Sequence, residues 1–361
     1  MRRWDGVFLR ALAAAATALL AACQASAPVR PQATAPNAAL HFDLADSWGG
    51  DLQCRPERKR CLLAAVEHEE SRLALIELTG RQARRLDAQP LAYHPDSAAW
   101  LADDLLAAAV EASASLDIFR VVEGRLVRVH QVALGFSPRD VVRVSAADGS
   151  YQLLATPYSG DWVAWVDWRA DGSTPDRVQR TTWCRTPWHP VHVDKLPGEA
   201  AGGHVVACLD GKKVVAVSDA NPRAAPHTLA EFDAVARQAR PSPSGRWLYV
   251  ALETGERNAR IDLRTGELQW IAGTRKGSAA AAALGDNLVL WGEDMRLRLQ
   301  RLDDAGQVLE SRVLPTSGFS TDVLLRDIDG DGEVDAVVLN STGKRSDVIY
   351  GPLWDRAAPL H

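Results

Sequence analysis

The chain has 361 residues, 47% of them hydrophobic and 24% charged, with a formal net charge of −5. These are ordinary globular proportions; they exclude a collagen-like or wholly disordered chain, and the lack of a basic excess argues against a nucleic-acid partner. In chain order, residues 1–22 come first, with Arg2, Arg3 and Arg10 ahead of an Ala/Leu run from Ala11 to Ala22. A charged start and a short apolar middle describe an export signal. The run falls short of the roughly 20 residues that a transmembrane helix needs, and a polar, proline-containing stretch follows it at once.

The run ends in Leu20-Ala21-Ala22-Cys23, which resembles the lipobox of bacterial lipoprotein precursors. The resemblance implies cleavage before Cys23 and a diacylglycerol on its thiol, hence a membrane partner reached through a lipid anchor. In such lipoproteins Asp after the cysteine favours retention at the inner membrane, so Gln24 implies an outer-membrane lipoprotein, facing the periplasm or the cell surface. Several acyl chains on one cysteine anchor stably, since each buried methylene contributes about 0.8 kcal/mol. Removing residues 1–22 takes away three arginines and one aspartate and leaves a charge near −7. Residues 23–39 then comprise the lipidated cysteine and a stretch rich in Ala, Pro and Gln, expected to be a flexible tether.

Four cysteines remain, Cys54, Cys61, Cys184 and Cys208, an even number in a compartment that permits disulfides. Neighbour pairing is expected. Cys54 and Cys61 flank a polar turn, Arg55 to Arg60, that suits a hairpin staple, and Cys184 with Cys208 closes a longer loop. Zinc is the alternative, but the spacings are not those of paired C-x-x-C knuckles.

From residue 40 to 361 short apolar runs alternate with Gly, Asp, Asn and Pro, the pattern of an all-β chain. Two stretches share the order strand, turn, strand, Gly-turn: Arg60 to Gly80 and Pro243 to Gly266. Weaker copies of the same hairpin are read at Leu116 to Leu126, Val205 to Val217 and Leu288 to Val308. A spacing of roughly 40 to 50 residues predicts a single β-propeller of about seven blades. Closure of the ring predicts that Leu40 to Leu44 pairs beside Val348 to Tyr350, because an open ring leaves a bare edge. Residues Pro243 to Gly266 resemble the repeats of Tol-system propellers, and Ile261 to Trp270 resembles the PQQ-like repeat, whose terminal Trp packs between blades. Both resemblances bear on fold more than on activity.

The sharpest chemical motif is Asp327-Ile328-Asp329-Gly330-Asp331-Gly332-Glu333-Val334-Asp335. Its carboxylates at loop positions one, three, five and nine, with the Glu333 carbonyl at seven, suit Ca²⁺, a hard cation that takes six to eight oxygens. Position twelve is Val338 and the flanks are strand-like, so an EF-hand is a poor fit. Strand, loop, strand resembles instead the FG-GAP/VCBS repeat of integrin-like propellers, which implies a structural Ca²⁺. A degenerate relative, Val166 to Asp176, has Arg169 at a ligand position and is not expected to bind metal. The alternative for the main loop is a solvated acidic turn.

The segment Asp161 to Asp194 gathers Trp162, Trp165, Trp168, Trp183 and Trp188, with His189 and His192 beside the last. Trp183, Trp188 and His189 are candidate binding residues, since Trp is enriched at recognition hot spots; blade packing is the competing reading for the tryptophans, and for His189 and His192, spaced i, i+3 between prolines, a transition-metal site is weighed against the favoured surface loop tied by Cys184. No G-x-S-x-G elbow, H-E-x-x-H pair or Gly-rich phosphate loop occurs. The sequence thus favours a lipid-anchored envelope scaffold that presents a face to a protein or polysaccharide. Its rival is an exported propeller enzyme, hydrolase-like, with a site at the central channel.

Overall fold

The computed structural model describes residues 39–55 and 59–359, and over them strands dominate. Cys23, the signal 1–22 and nearly all of the tether 23–39 lie outside the described residues. The strands form seven antiparallel sheets that follow one another in chain order. Blade 1 comprises Gly50–Arg55, Arg60–Glu67, Arg72–Thr79 and Gln82–Pro90; blade 2 comprises Pro95–Ala102, Leu105–Val110, Ser115–Val122 and Arg125–Ala133. Blade 3 comprises Pro138–Ala147, Ser150–Pro157, Trp162–Arg169 and Arg177–Thr182; blade 4 comprises Pro187–Val193, Gly203–Cys208, Lys213–Ser218 and His227–Glu231. Blade 5 comprises Ala236–Pro241, Trp247–Leu252, Asn258–Asp262 and Leu268–Ile271; blade 6 comprises Ala280–Gly285, Leu288–Glu293, Arg296–Leu302 and Val308–Pro315. Blade 7 takes Ser320–Arg326, Asp335–Asn340 and Arg345–Ile349 from the end of the chain and Leu40–Asp43 from its start.

That last sheet closes the ring. Leu40 lies opposite Val348 and Asp43 opposite Arg345, the pairing expected from the sequence, so the start of the chain supplies the outermost strand of the last blade and covers the edge of Arg345–Ile349. One addition was not legible in the sequence. A single helical turn, Leu353–Arg356, brings Ala358–Pro359 beside the outer strand of blade 6, with Val313 opposite Ala358.

The apolar runs are continuous because both faces of each sheet are covered. In Arg60–Glu67, Leu63 and Ala65 join the cluster between blades 7 and 1, while Ala64 and Val66 join the one between blades 1 and 2. Likewise Leu105, Ala107 and Ala109 face blade 3, and Leu106, Ala108 and Val110 face blade 1. Strand alternation therefore sends successive side chains to two different blade interfaces. The buried apolar residues divide into seven such clusters, one at each interface. Trp270 packs at the edge of the cluster between blades 4 and 5, beside Phe232 and under the Arg257 guanidinium.

The repeat read from sequence has the correct period but mixed phase. Arg60 to Gly80 and Pro243 to Gly266 both cover the second and third strands of a blade, whereas Leu116 to Leu126 covers the third and fourth. Leu288 to Val308 spans two hairpins, not one. Gly80, Gly124, Gly266 and Gly306 share a left-handed backbone (φ 54°, 78°, 79° and 82°) and mark the turn into the outermost strand. Asp210-Gly211, by contrast, lies between the second and third strands of blade 4.

Both cysteine pairs form as expected, Cys54 with Cys61 and Cys184 with Cys208. Cys54 and Cys61 stand directly opposite each other across the first hairpin of blade 1.

Candidate functional site

The first strand of every blade lines a central channel. The innermost strands all begin on one face, here the upper face, and end on the other, the lower face. In five blades the innermost strand carries a register break near its start: between Pro95 and Ser97, Pro138 and Asp140, Trp188 and Val191, Ala236 and Gln238, and Ser320 and Asp322. A bulge inserts a residue into one strand, interrupts the alternation and re-aims a side chain. The residues so displaced are Asp96, Arg139, His189 with Pro190, Arg237 and Thr321.

These bulges build a layer that closes the upper end. The Arg139 guanidinium carbon lies 4.0 Å from the Trp188 ring centroid and 5.0 Å from that of Trp48. Arg237 lies 4.4 Å from Trp188 and 5.7 Å from Trp48. Trp48 leads into blade 1 and Trp188 belongs to blade 4, so these contacts cross the axis. Each cation has an acid: Arg139 Nη1 is 3.1 Å from Asp96 Oδ1, and Arg237 Nη1 is 3.4 Å from Glu253 Oε2. Burial pulls the Arg237 pKa below its ordinary value; Glu253 opposes the shift and the neighbouring Arg139 adds to it.

Below this layer is a cavity of about 640 Å³, reaching Pro243, Arg326 and Val334 at the lower face. Its walls mix charge with apolar surface from Leu52, Val142, Leu284 and Leu324. Asp51 accepts from the Trp100 and Leu52 amides at 2.9 and 2.8 Å, and burial raises its pKa. Asp140 accepts from the His189 amide at 3.0 Å, while its other oxygen lies 3.5 Å from His189 Nδ1. Asp322 accepts from Gln238 at 3.0 Å and Arg240 at 3.3 Å. Burial drives the His189 pKa down to about 4, Asp140 resisting and Arg240 reinforcing it, so the ring is neutral at pH 7.

The acidic loop sits at the lip of this cavity, joining the first two strands of blade 7 as a strand, loop, strand unit. Of its five candidate ligands, the fold brings the carboxylates of Asp327, Asp329 and Asp335 within 4.8 Å of one another. Asp327 accepts from the Gly330 and Gly332 amides, and Asp335 from those of Ile328 and Gly351, both at 2.7 Å. Burial raises the Asp335 pKa, and nearby Asp329 adds to it. Asp329 Oδ1 is buried with no hydrogen-bond partner; its other oxygen is 3.6 Å from Arg81 Nε. Asp331 is exposed and accepts from the Glu333 amide, and the Glu333 side chain is exposed too. In the degenerate segment the acids disperse: Asp167 to Gln152, Asp171 to Arg169 and Ser173, Asp176 to His130.

The tryptophan-rich segment does not make one exposed aromatic surface. Trp165 and Trp183 pack together in the cluster between blades 3 and 4, Trp188 is buried beneath the two guanidiniums, and His189 lines the channel. Nor do His189 and His192 sit on a surface loop: both belong to the innermost strand of blade 4, and His192 pairs with Asp219 at 2.8 Å, away from the channel. Apart from His189, sequence reasoning missed the channel residues, yet a signal exists. A polar pair opens an apolar strand at Asp96-Ser97, Arg139-Asp140, Arg237-Gln238 and Thr321-Asp322, in step with the blade period.

The chain is thus a seven-bladed β-propeller with a channel closed above and open below. No protein-family model matches it, and no curated protein matches it either. Two solved structures are similar over most of their length. Selenomethionine-substituted virginiamycin B lyase from Staphylococcus aureus superposes with a TM-score of 0.62 at 10% identity, covering 87% of this chain and 99% of that one. The WD40 β-propeller domain of Doa1 gives 0.61 at 12% identity, covering 89% and 98%. At these identities the likeness is one of fold, and the site must speak for the activity.

Proposed function

We propose that the chain is a lipid-anchored envelope protein that binds a saccharide unit of a polysaccharide or glycan in the open end of its channel. The observation that carries this reading is the wall chemistry of the blind cavity. Acceptors (Asp51, Asp140, Asp322), donors (Arg240, Arg326) and apolar strips (Leu52, Leu284, Leu324) alternate around one space. Sugar hydroxyls both donate and accept, and sugar ring faces are apolar, so mixed walls of this kind suit them better than they suit a single charge. Hydrolysis at the channel is the second reading, favoured by the gathering of carboxylates with a neutral histidine. Binding is preferred because each carboxylate is already held by backbone amides, Gln238 or Arg240.

Calcium in the 327–335 loop is part of the proposal. The buried, unpartnered Asp329 oxygen and the crowding of three carboxylates suit a divalent cation there. When bound, Ca²⁺ would neutralise that crowding and stiffen the cavity lip; Asp327, Asp329 and Asp335 would supply carboxylate oxygens. The lipobox resemblance supports anchoring through Cys23 at the outer membrane. Cys23→Ala should release the protein from the membrane fraction, and continued pelleting with membranes would sink the anchor.

The binding test uses a soluble chain beginning at Gln24, titrated calorimetrically with neutral and acidic oligosaccharides of bacterial envelope polymers. Saturable binding should occur and be lost in Val142→Trp, which fills the cavity. Equal binding by Val142→Trp, or none by the unsubstituted protein, overturns the reading. Turnover of a bound oligosaccharide would establish the hydrolytic alternative instead.

A further inference from the structure

On the upper face, at the rim of the closed end, His68, Glu69 and His94 each place a ligand atom within 4.8 Å of the others. The sequence gives no hint of this. His68 and Glu69 turn between the second and third strands of blade 1, and His94 comes from the connection to blade 2, 26 residues further on. The propeller joins them because second-strand ends and blade-to-blade connections meet on the same face.

The hydrogen bonding around the His68 ring has the form of a metal site's supporting shell. His68 Nδ1 lies 3.1 Å from the Pro95 carbonyl, which can only accept, so that nitrogen carries a proton and donates; Asp96 Oδ1 flanks it at 3.3 Å. The arrangement leaves Nε2 to face Glu69, 4.0 Å from Oε1. His94 makes no such bond; its ring stacks on that of His68, with centroids 4.2 Å apart. Its Nδ1 is 3.6 Å from Glu111 Oε2, an oxygen that is buried and has no hydrogen-bond partner. Metal-bound histidines characteristically donate their second ring N–H to a carbonyl or carboxylate, which fixes the tautomer and aims the other nitrogen at the ion. The orphaned Glu111 oxygen is thus the acceptor that a ligating His94 requires.

We propose that His68, Glu69 and His94 form a site for a divalent transition ion of the zinc class, with Pro95, Asp96 and Glu111 orienting the two imidazoles. Two nitrogens and one carboxylate oxygen match zinc's preference, and three protein ligands leave a fourth position open. That position lies on the exposed side, where Glu69 and Tyr93 face solvent. The site is independent of the saccharide reading, which concerns the other end of the channel. It is joined to the closing layer through Asp96, shared between His68 and Arg139.

The soluble chain beginning at Gln24 keeps every described residue and serves for the test, with excess Ca²⁺ present to occupy the acidic loop. Zn²⁺ is titrated calorimetrically, and Co²⁺ is used as an optical probe of coordination. One equivalent of Zn²⁺ should bind, and Co²⁺ should give the visible absorption of a low-coordinate site. His94→Ala should abolish both signals. Glu111→Gln should weaken affinity about 10- to 100-fold, the usual effect of losing an orienting partner. His192→Ala, which removes an exposed histidine paired with Asp219, should change neither. His94 is only partly buried, so its loss leaves the fold intact, and circular dichroism checks this. Binding that survives His94→Ala, or that falls in His192→Ala instead, overturns the proposal, as does the absence of any Zn²⁺ binding.

Discussion

At the upper end of the channel, Trp48, Asp96, Arg139, Trp188 and Arg237 come one each from five successive blades. At the lower end, the acidic residues from Asp327 to Asp335 all come from one loop of one blade. The upper layer is nonlocal: Arg139 is neutralised by Asp96 of the preceding blade and stacks on aromatics of two others. Its stability therefore depends on the ring being closed. The lower loop is local, and it concentrates like charge that its own residues do not neutralise. The upper end sets cations against acids and aromatic rings drawn from several blades, whereas the lower loop crowds three carboxylates, with Arg81 beside Asp329. Each end also has its own disulfide, Cys184–Cys208 above and Cys54–Cys61 below.

The largest effect should come from opening the upper layer. Arg139→Met leaves Asp96, 3% exposed, with only His68 beside it, and should cost about 3 kcal/mol in urea unfolding, the lower end of the range for breaking a buried ion pair. A cost below about 1 kcal/mol would mean that the layer is solvated, as exposed pairs are, and the contrast between the ends would collapse.

Acid should act next. The folded His189 pKa, about 4, lies below the ordinary 6.5, so the unfolded chain binds more protons between those values. Its contribution is fully present above pH 6.5 and is lost as pH falls towards 4, by about 3 kcal/mol at one pKa unit per 1.36 kcal/mol. Unfolding free energy measured from pH 7 to 4.5 should fall less in His189→Gln than in the unsubstituted protein. The Arg-paired carboxylates Glu67 and Glu293 are held below the usual 4.5 despite burial, so their share persists until lower pH.

Calcium sharpens the lower half of the comparison. At a hundredfold excess over its dissociation constant it should stabilise the fold by about 2.7 kcal/mol, and not at all in Asp329→Ala/Asp331→Ala. An equal thermal shift in both proteins would make the loop a solvated acidic turn.

The smallest effect separates the two disulfides. They span 24 and 7 residues, so chain entropy predicts that replacing Cys184 and Cys208 costs about 1 kcal/mol more than replacing Cys54 and Cys61. Paired unfolding curves of the two double serine variants measure the difference.

Much of the lower end was legible because it is contiguous. Carboxylates two residues apart with glycines between them define a loop whatever surrounds it, and Cys54 and Cys61 flank their own turn. The fold was legible for a related reason: a blade repeats its strand and turn grammar every 40 to 50 residues or so, and the need to close the ring assigns the terminal strands. Phase was harder. The turn at Gly124 and the one at Asp210-Gly211 look alike in sequence but join different strand pairs.

The tryptophans show where sequence reading stops. Composition cannot tell a Trp that fills a blade interface, as Trp183 does, from one stacked under two guanidiniums, as Trp188 is. The sequence by itself determined the all-β repeat, its closure, the neighbour pairing of the cysteines and the shape of the acidic loop, because each depends on residues close in the chain or on a period. Only the tertiary structure decided which charges meet. Bulges in the innermost strands turn Asp96, Arg139, His189 and Arg237 towards a common axis, and a contact across that axis depends on how the blades sit around the ring, not on separation along the chain.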